Sequence, residues 1–158
     1  MNGEVVGIFT AAAAKAPMES LEAAHLEAGR GIVGDRYHLS LGTFSEKLKG
    51  TRDSEITLVE SEEIEQFNQA QGLSLGLGDI RRNIVTCGVR LNDLVGHRFR
   101  VGGVMLEGLR LCEPCAHLAA IVTSEVLPGL VHRAGIRACI VSGGAVKLGD
   151  RIISSSAE

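Results

Sequence analysis

The sequence predicts a mainly β fold, a barrel or a sandwich of short strands with a few helices. The first observation is the turn-forming composition, because 20 Gly and 3 Pro among 158 residues are typical of many tight turns between short strands. The second is that apolar residues come in short β-branched runs, such as EVVGIFT at 4–10, which favour strands. The length fits one domain over 1–158.

Composition and charge exclude several functional classes. Hydrophobic residues make up 45% and charged residues 22% of the chain, which is typical of a soluble protein. A net charge of −3 provides no general basic field for nucleic acid. No apolar run approaches the length of a membrane span, and Glu4 interrupts the N-terminal run too early for a signal peptide. We therefore expect a cytoplasmic protein without nucleic-acid or membrane partners.

The four cysteines are expected to be free or metal-binding thiols, because a reducing cytoplasm disfavours a disulfide framework. Cys87 and Cys139 adjoin apolar strands, where cysteines are usually inert core thiols. The chemistry of the chain is therefore expected at the remaining pair, Cys112 and Cys115.

Periodicity and turn signals place the elements along the chain. A helix is predicted over 61–71, with Ser61 as its N-cap and with Ile64 and Phe67 on one face. The charged, Gly-containing segment 39–54 is predicted to be a loop that covers a site. Further helical segments are predicted over 91–96, 116–122 and 124–132. Strands are predicted over 4–10, 21–28, 55–59, 84–86, 99–101, 104–111 and 135–141, with a closing hairpin over 146–153.

The most informative stretch is LCEPCAHL at 111–118, which carries two thiols between a predicted strand and a predicted helix. Cys115 is expected on the first helical turn, just after Pro114, where free backbone N–H groups and the helix dipole favour a thiolate. The thiolate is the form of cysteine that binds metals and attacks sulfur. The stretch therefore predicts a chemically active sulfur at Cys115.

Several uses of the Cys112 and Cys115 pair are open. A structural zinc site needs four ligands, usually two such pairs, and His117 alone does not complete the set. A redox pair fits locally, because a strand, Cys-x-Pro-Cys and a helix form the thioredoxin-like arrangement, although no βαβ unit surrounds it. A single thiolate that binds a soft metal centre or accepts sulfur needs an adjacent anion-binding pocket. Two buried, unreactive thiols are the simplest alternative, but the polar neighbours Glu113 and His117 argue against a dry environment.

A second polar stretch, directly before an apolar strand, can supply the anion-binding pocket. Strand alternation directs Arg81 and Asn83 to one face and Arg82 to the other. A guanidinium matches phosphate or carboxylate oxygens with two parallel hydrogen bonds, and an amide both donates and accepts. Ion pairs of these arginines with Asp79 or Glu60 are the alternative.

Six short motifs follow one another along the chain, and they are GDR at 34–36, ITLVE at 56–60, RRNIVTCG at 81–88, LNDLVG at 91–96, EPC at 113–115 and LGD at 148–150. Their order and spacing resemble those of a MOSC domain, named after the C-terminal domain of molybdenum-cofactor sulfurases. The likeness covers about 5–153, and the sequence looks like a small stand-alone member of the family.

The resemblance implies a β-barrel of the pyruvate-kinase-barrel type with a few flanking helices. It also implies binding of a pterin-type molybdenum cofactor (molybdopterin), or handling of sulfur destined for metal centres. In the family, the cysteine that matches Cys115 ligates molybdenum or carries sulfur. The stretch that matches Arg81, Arg82 and Asn83 would hold the anionic part of the pterin.

The resemblance also suggests roles for four further residues. Asp35 and Arg36, which on their own are typical of a solvated turn, would shape the rim of the pocket. Cys112 would be a resolving thiol or would lie just behind the ligand. His117 would exchange protons near the metal, or would be a surface residue satisfied by its neighbours.

The relatives implied by the resemblance include reductases of N-hydroxylated bases and amidoximes, and the sulfurases themselves. The sequence shows no aminotransferase-like domain, so pyridoxal phosphate is not expected. It also shows no separate N-terminal β-rich domain, so a second subunit in a homo-oligomer or a partner protein is expected to complete the site. The functions considered are reduction of an N–O bond with electrons from an electron-donor protein, non-catalytic transfer of cofactor or sulfur, and thiol–disulfide exchange.

Overall fold

The structure is a computed structural model that describes residues 3–154. Within that range the chain forms eleven strands, three α-helices and one 3-10 turn at Leu91–Leu94. The helices are α1 (Ser61–Gln71), α2 (Ala116–Ile121) and α3 (Val126–Gly129). The strands are β1 (Gly3–Thr10), β2 (Glu19–Ser20), β3 (Ala23–Glu27), β4 (Gly31–Ile32), β5 (Ile56–Glu60), β6 (Ile84–Cys87), β7 (Arg98–Val101), β8 (Val104–Leu111), β9 (Ile136–Ser142), β10 (Gly144–Lys147) and β11 (Arg151–Ser154).

Seven strands form a closed barrel, which confirms the predicted mainly β fold. The strands are hydrogen-bonded in the order β11-β7-β8-β9-β5-β6-β1, and β1 pairs back onto β11 with Gly3 opposite Ile152. Neighbouring strands are antiparallel except for β5 and β6, which are parallel. Parallel neighbours need a crossover connection, and α1 lies within it. No helix in the described range is long and apolar enough to cross a membrane.

The alternation of side chains along the strands divides the core into two clusters. The first cluster draws on all seven barrel strands and fills the barrel, with Leu58 and Ile84 among its members. The second packs between the barrel and the three helices, and includes Val59 and Val85. Because successive strand residues face opposite sides, β5 and β6 contribute to both clusters. The second cluster holds the three helices to the barrel. It also holds the loop 112–115 before α2, which we call the thiol loop, because Cys115 packs against this cluster.

The predicted closing hairpin over 146–153 is wrong. β10 pairs with β3 in a separate three-stranded sheet, whereas β11 pairs with β1 and β7 in the barrel. The turn between them bonds to other segments, because Leu148 donates its N–H to Glu22 O at 3.0 Å and Gly149 donates to Val5 O at 2.8 Å. These bonds separate the two strands instead of pairing them.

Helix α1 occupies the predicted range, but its cap differs from the prediction. Glu60 is the N-cap residue and makes no side-chain capping bond, and Ser61 is the first helical residue. The shift arises because β5 runs directly into the helix without an intervening turn. Ile64 and Phe67 are buried as predicted.

Candidate functional site

A small cavity of about 50 Å³ lies beside the loop between β8 and α2. We call it the thiol cavity because both Cys112 and Cys115 line it. The predicted site residues that line it are Arg36, Arg81, Arg82, Cys112, Cys115 and His117. Asp35 and Asn83 do not line it, and the residues that the sequence analysis did not single out are Tyr37, Thr43, Phe44, Thr57, Leu118 and Arg137.

Cys115 is the residue immediately before α2, where it occupies the N-cap position with extended backbone. Its carbonyl accepts the N–H of Ala119 at 2.9 Å, and its side chain is half-buried. Cys112 is buried, and its N–H donates to Gly135 O at 2.8 Å. The residue just after β8 and the residue just before α2 therefore place two thiols on one cavity, one of them partly exposed. The prediction that Cys115 lies on the first helical turn is wrong by one residue, because the helix begins at Ala116.

Arg82 is bound to backbone carbonyls and does not present a free fork to the cavity. Its Nε donates to Ala134 O at 2.8 Å and its Nη2 donates to Cys112 O at 2.9 Å. A third bond runs from Nη1 to Ile80 O at 3.3 Å. Neither this guanidinium nor that of Arg81 forms an ion pair with Asp79 or Glu60 in the range 3–154. Arg82 thus fixes the loop that carries the thiols.

Asn83 has a structural position that strand alternation did not predict. β6 begins only at Ile84, and Arg81 has a left-handed backbone with φ of 64°, so alternation does not apply to 81–83. The Asn83 amide accepts from the N–H of Thr57 at 3.1 Å and donates to Phe9 O at 3.1 Å. The predicted arrangement of Arg81 with Asn83 on one face and Arg82 on the other is therefore wrong, since both arginines line the cavity.

Arg36 and Arg81 bring two guanidiniums to one side of the thiol cavity. Arg81 Nη1 donates to Ala16 O at 2.7 Å, and Arg36 Nη2 donates to Arg81 O at 3.4 Å. Burial lowers the pKa of Arg81, and the like charge of Arg36 lowers it further. Such a pair of partly desolvated cations is stabilised by an anion between them.

Asp35 lies behind the cavity and orients Arg36. Its carboxylate accepts from Arg36 Nη1 at 3.0 Å, from Ala11 N–H at 3.1 Å and from Tyr37 N–H at 3.2 Å. Only 1% of its surface is exposed, so the solvated-turn alternative does not apply. Asp35 acts on the cavity through the arginine it holds.

Arg137 is the lining residue with the clearest unmet hydrogen-bonding capacity. It lies on β9 opposite Thr57 of β5, and its Nη1 donates to Asp53 O at 3.0 Å. Its Nε is buried and has no hydrogen-bond partner in the part of the chain that the structure describes. The signal in the sequence that points to Arg137 is its charge within the apolar strand, between Ile136 and Ala138, which are both buried.

The loop 39–54 covers the cavity on the side of α2. Thr43 Oγ1 lies 3.2 Å from His117 Nε2, and the Phe44 ring meets the His117 ring edge-on with centroids 6.2 Å apart. The predicted loop is thus in contact with the helix that follows Cys115. Thr43 is exposed and Phe44 is half-buried, so the loop covers the cavity only partly.

A larger groove of about 570 Å³ adjoins the thiol cavity, and Arg81 lines both. We call it the Arg81 groove. Phe9, Met18 and Ile121 contribute apolar surface to it, and Asp79 contributes a carboxylate. Its volume lies within the range of small-molecule sites, whereas that of the thiol cavity does not.

The other two cysteines lie away from both cavities. Burial raises the pKa of Cys139, which lies in β9, and of Cys87 at the end of β6. A raised pKa favours the unreactive thiol. Cys139 is buried, as expected of a core thiol, whereas Cys87 is only half-buried.

The MOSC domain family model matches residues 45–153. The chain belongs to the MOSC domain family. The match includes β5 to β9 and both thiols of the cavity. A comparison with curated proteins gives no match.

Solved structures share the fold of this MOSC protein. The YuaD protein from Bacillus subtilis is similar with a TM-score of 0.79 and 22% identity, over 96% of this chain and 94% of that one. YiiM from Geobacillus stearothermophilus has a TM-score of 0.68 and 14% identity, over 96% and 74% of the two chains. YiiM from Escherichia coli has a TM-score of 0.67 and 15% identity, over 98% and 69%.

Proposed function

We propose that this MOSC protein binds a pterin-type molybdenum cofactor, with the Cys115 thiolate as metal ligand or as the carrier of a sulfur atom. The observation that carries the proposal is the composition of the thiol cavity. One accessible thiol shares it with four arginines, and no Asp or Glu belongs to its lining. Thiolates suit soft metal centres, and guanidiniums suit the oxygens of a phosphate.

The two cavities differ in size in a way that fits such a cofactor. The thiol cavity, about 50 Å³, has room for a metal centre and little more, since one water occupies about 30 Å³ in the liquid. The Arg81 groove, about 570 Å³, has room for a bicyclic pterin. Arg81 lies on the boundary between them, where it would bind the anionic part of the cofactor.

The unmet donor of Arg137 supports an anionic occupant independently. A buried N–H group without a partner costs about 1–3 kcal/mol, which an oxygen of a bound ligand would recover. Arg36, oriented by Asp35, lines the same cavity and would bind the same anion. Arg82 and Asn83 would act indirectly, by fixing the thiol loop and the start of β6.

The bound cofactor would supply two-electron transfer at the metal. In the catalytic version of the proposal, an N-hydroxylated base takes up two electrons and two protons and becomes the amine and water, with the electrons coming from an electron-donor protein. His117 lines the cavity and would pass a proton to the substrate there. In the carrier version, the same residues hold the cofactor or sulfur in transit to a partner enzyme.

The first test is metal analysis of protein expressed with molybdate. We expect wild type to hold molybdenum and Cys115→Ser to hold at least about tenfold less, because a lost ligand costs no less than a lost supporting contact. Cys87→Ser is the matched control, since Cys87 lies outside the cavity, and it should hold as much as wild type. Equal molybdenum in Cys115→Ser and wild type would exclude Cys115 as the ligand.

Turnover then separates the two versions. A molybdenum-loaded protein that converts an N-hydroxylated base to the amine with a chemical reductant is an enzyme. A loaded protein that does not turn over, but transfers its cofactor to an acceptor protein, is a carrier. A metal-free protein with a reversible Cys112–Cys115 disulfide would instead be a thiol–disulfide protein.

A further inference from the structure

A polar cavity separate from the thiol cavity and the Arg81 groove lies between the 29–30 turn and the loop 39–54. Its volume is about 220 Å³, and we call it the His38 cavity. Tyr37 is the residue that lines both it and the thiol cavity. Its lining includes two cations, Arg30 and Lys49, and no Asp or Glu. A polar cavity of this composition favours an anion.

His38 provides an independent sign that a ligand belongs there. Its side chain is only 8% exposed, and its Nδ1 is buried without a hydrogen-bond partner in the range 3–154. Its Nε2 lies 3.1 Å from Glu27 Oε2. This hydrogen bond is the main cause that lowers the pKa of Glu27, and Nε2 is the ring nitrogen that faces the carboxylate.

With Nε2 occupied, Nδ1 is the atom available to a ligand. In the imidazolium form both ring nitrogens donate, so Nδ1–H would donate to an anionic oxygen while Nε2–H remains on Glu27. The other donors at hand are the Lys49 ammonium, the Arg30 guanidinium, and the hydroxyls of Ser40 and Ser45. Arg30 is shared with Glu27 at 3.5 Å, whereas Lys49 has no ion-pair partner within 3–154.

We propose that the His38 cavity binds a phosphate group, held by His38 Nδ1–H, the Lys49 ammonium and neighbouring hydroxyls. A phosphate offers several acceptor oxygens to an ammonium, to the Nδ1–H of an imidazolium and to hydroxyls that can donate. The volume exceeds that of a phosphate ion, so the group is either free phosphate with water or the phosphate of a small monoester. The proposal does not depend on the molybdenum cofactor, because of all the residues that line the two cavities only Tyr37 is shared.

Histidine-selective ¹⁵N NMR during a titration with inorganic phosphate tests the proposal at the site itself. We expect the Nδ1 resonance of His38 to shift and saturate. The resonances of His117 report separately on binding in the thiol cavity. An unchanged His38 resonance while His117 shifts would overturn the proposal and assign the phosphate to the thiol cavity.

Charge variants in the same loop supply a matched control. Lys49→Ala should weaken the affinity measured at His38 about tenfold, the loss expected for one charge-assisted hydrogen bond. Lys47→Ala removes the same charge from an exposed position outside the cavity and should leave the affinity within about twofold. Both lysines are exposed, so neither change threatens folding, and equal weakening by the two would overturn the proposal.

A pair of His38 variants tests the role of Nδ1. His38→Gln keeps a group near the position of Nε2 and has none near Nδ1, whereas His38→Asn places its amide near Nδ1. Measured at the Gly50 amide, phosphate should bind His38→Asn more tightly than His38→Gln, and the reverse order would contradict the assignment. Phenyl phosphate distinguishes the source, since tighter binding than inorganic phosphate indicates a monoester ligand and weaker binding indicates the free ion.

Discussion

At the scale of single residues, the arginines of the thiol cavity have different hydrogen-bond partners and therefore different roles. Arg81 and Arg82 are adjacent, yet Arg81 lines both the thiol cavity and the Arg81 groove, while Arg82 donates to the carbonyls of Ala134 and Cys112. Arg137, distant in sequence, has a buried Nε donor without a partner among residues 3–154. A guanidinium is available to a ligand only where backbone carbonyls do not already accept its hydrogen bonds.

Replacing Arg82 by Lys should destabilise the protein and loosen the thiol loop. A lysine cannot reach the same carbonyls with a planar fork, and the carbonyls left unpaired cost about 2 kcal/mol in unfolding free energy. Denaturant unfolding measures that loss, and the native-state alkylation rate of Cys112 should rise with it. Arg133→Lys, at an exposed arginine with a long 3.7 Å contact to Glu63, is the control and should change stability by less than about 0.5 kcal/mol. An unchanged alkylation rate in Arg82→Lys would show that the loop is held by other contacts.

At the scale of elements, the start of β9 lies very close to the backbone of β5, its antiparallel neighbour. Gly135 lies just before β9 with φ of 99°, and a Cβ there would overlap the carbonyl oxygen of Leu58. The carbonyl of Gly135 accepts the N–H of Cys112. The close approach of Gly135 to β5 therefore affects both the pairing of β5 with β9 and the position of the loop that carries the thiols.

Gly135→Ala should cost about 3 kcal/mol in unfolding free energy, because it adds the overlap with Leu58 to the cost of a left-handed backbone. Gly149→Ala measures the cost of the left-handed backbone alone. Gly149 has a similar φ of 88°, but no described atom lies within 4 Å of the added Cβ, so a loss of about 1–2 kcal/mol is expected. Urea unfolding of both variants gives the comparison, and equal losses would mean that β9 moves away from β5 at no cost.

At the scale of the whole molecule, the pairing of the barrel strands, such as β5 with β9, brings distant segments to one cavity. Arg36, Arg81, Cys115 and Arg137 are separated by tens of residues and nevertheless line the thiol cavity together. Stability of the barrel and integrity of the cavity are therefore coupled. The carboxylate of Glu60, at the junction of β5 and α1, accepts the N–H of Leu91 at 3.2 Å and joins the barrel to the 3-10 turn.

Glu60 should make the stability of the whole fold depend on pH. Burial raises the pKa of Glu60 above the ordinary value of a glutamate, so the folded state keeps the proton at pH values where the unfolded state has lost it. The contribution of Glu60 to stability is therefore greatest below about pH 4.5 and falls as pH rises through the folded pKa. Glu60→Gln keeps an acceptor for Leu91 and does not titrate. Urea unfolding from pH 4 to 7 should show wild type losing stability relative to Glu60→Gln as pH rises, and a constant difference would contradict the shift.

The sequence by itself determined the mainly β class, most strands, the range of α1 and the position of the two thiols between β8 and α2. These features follow from side-chain periodicity and turn residues, which act over a few neighbours. Only the tertiary structure decided that β10 and β11 belong to different sheets and that Arg82 and Asn83 bind backbone groups. It also decided that Arg137 and His38 each have a buried nitrogen without a partner in the described part of the chain. Those outcomes depend on which backbone carbonyl or amide from a distant part of the chain lies beside a side chain. The pairing of strands across the barrel determines these neighbours, and a local sequence pattern does not.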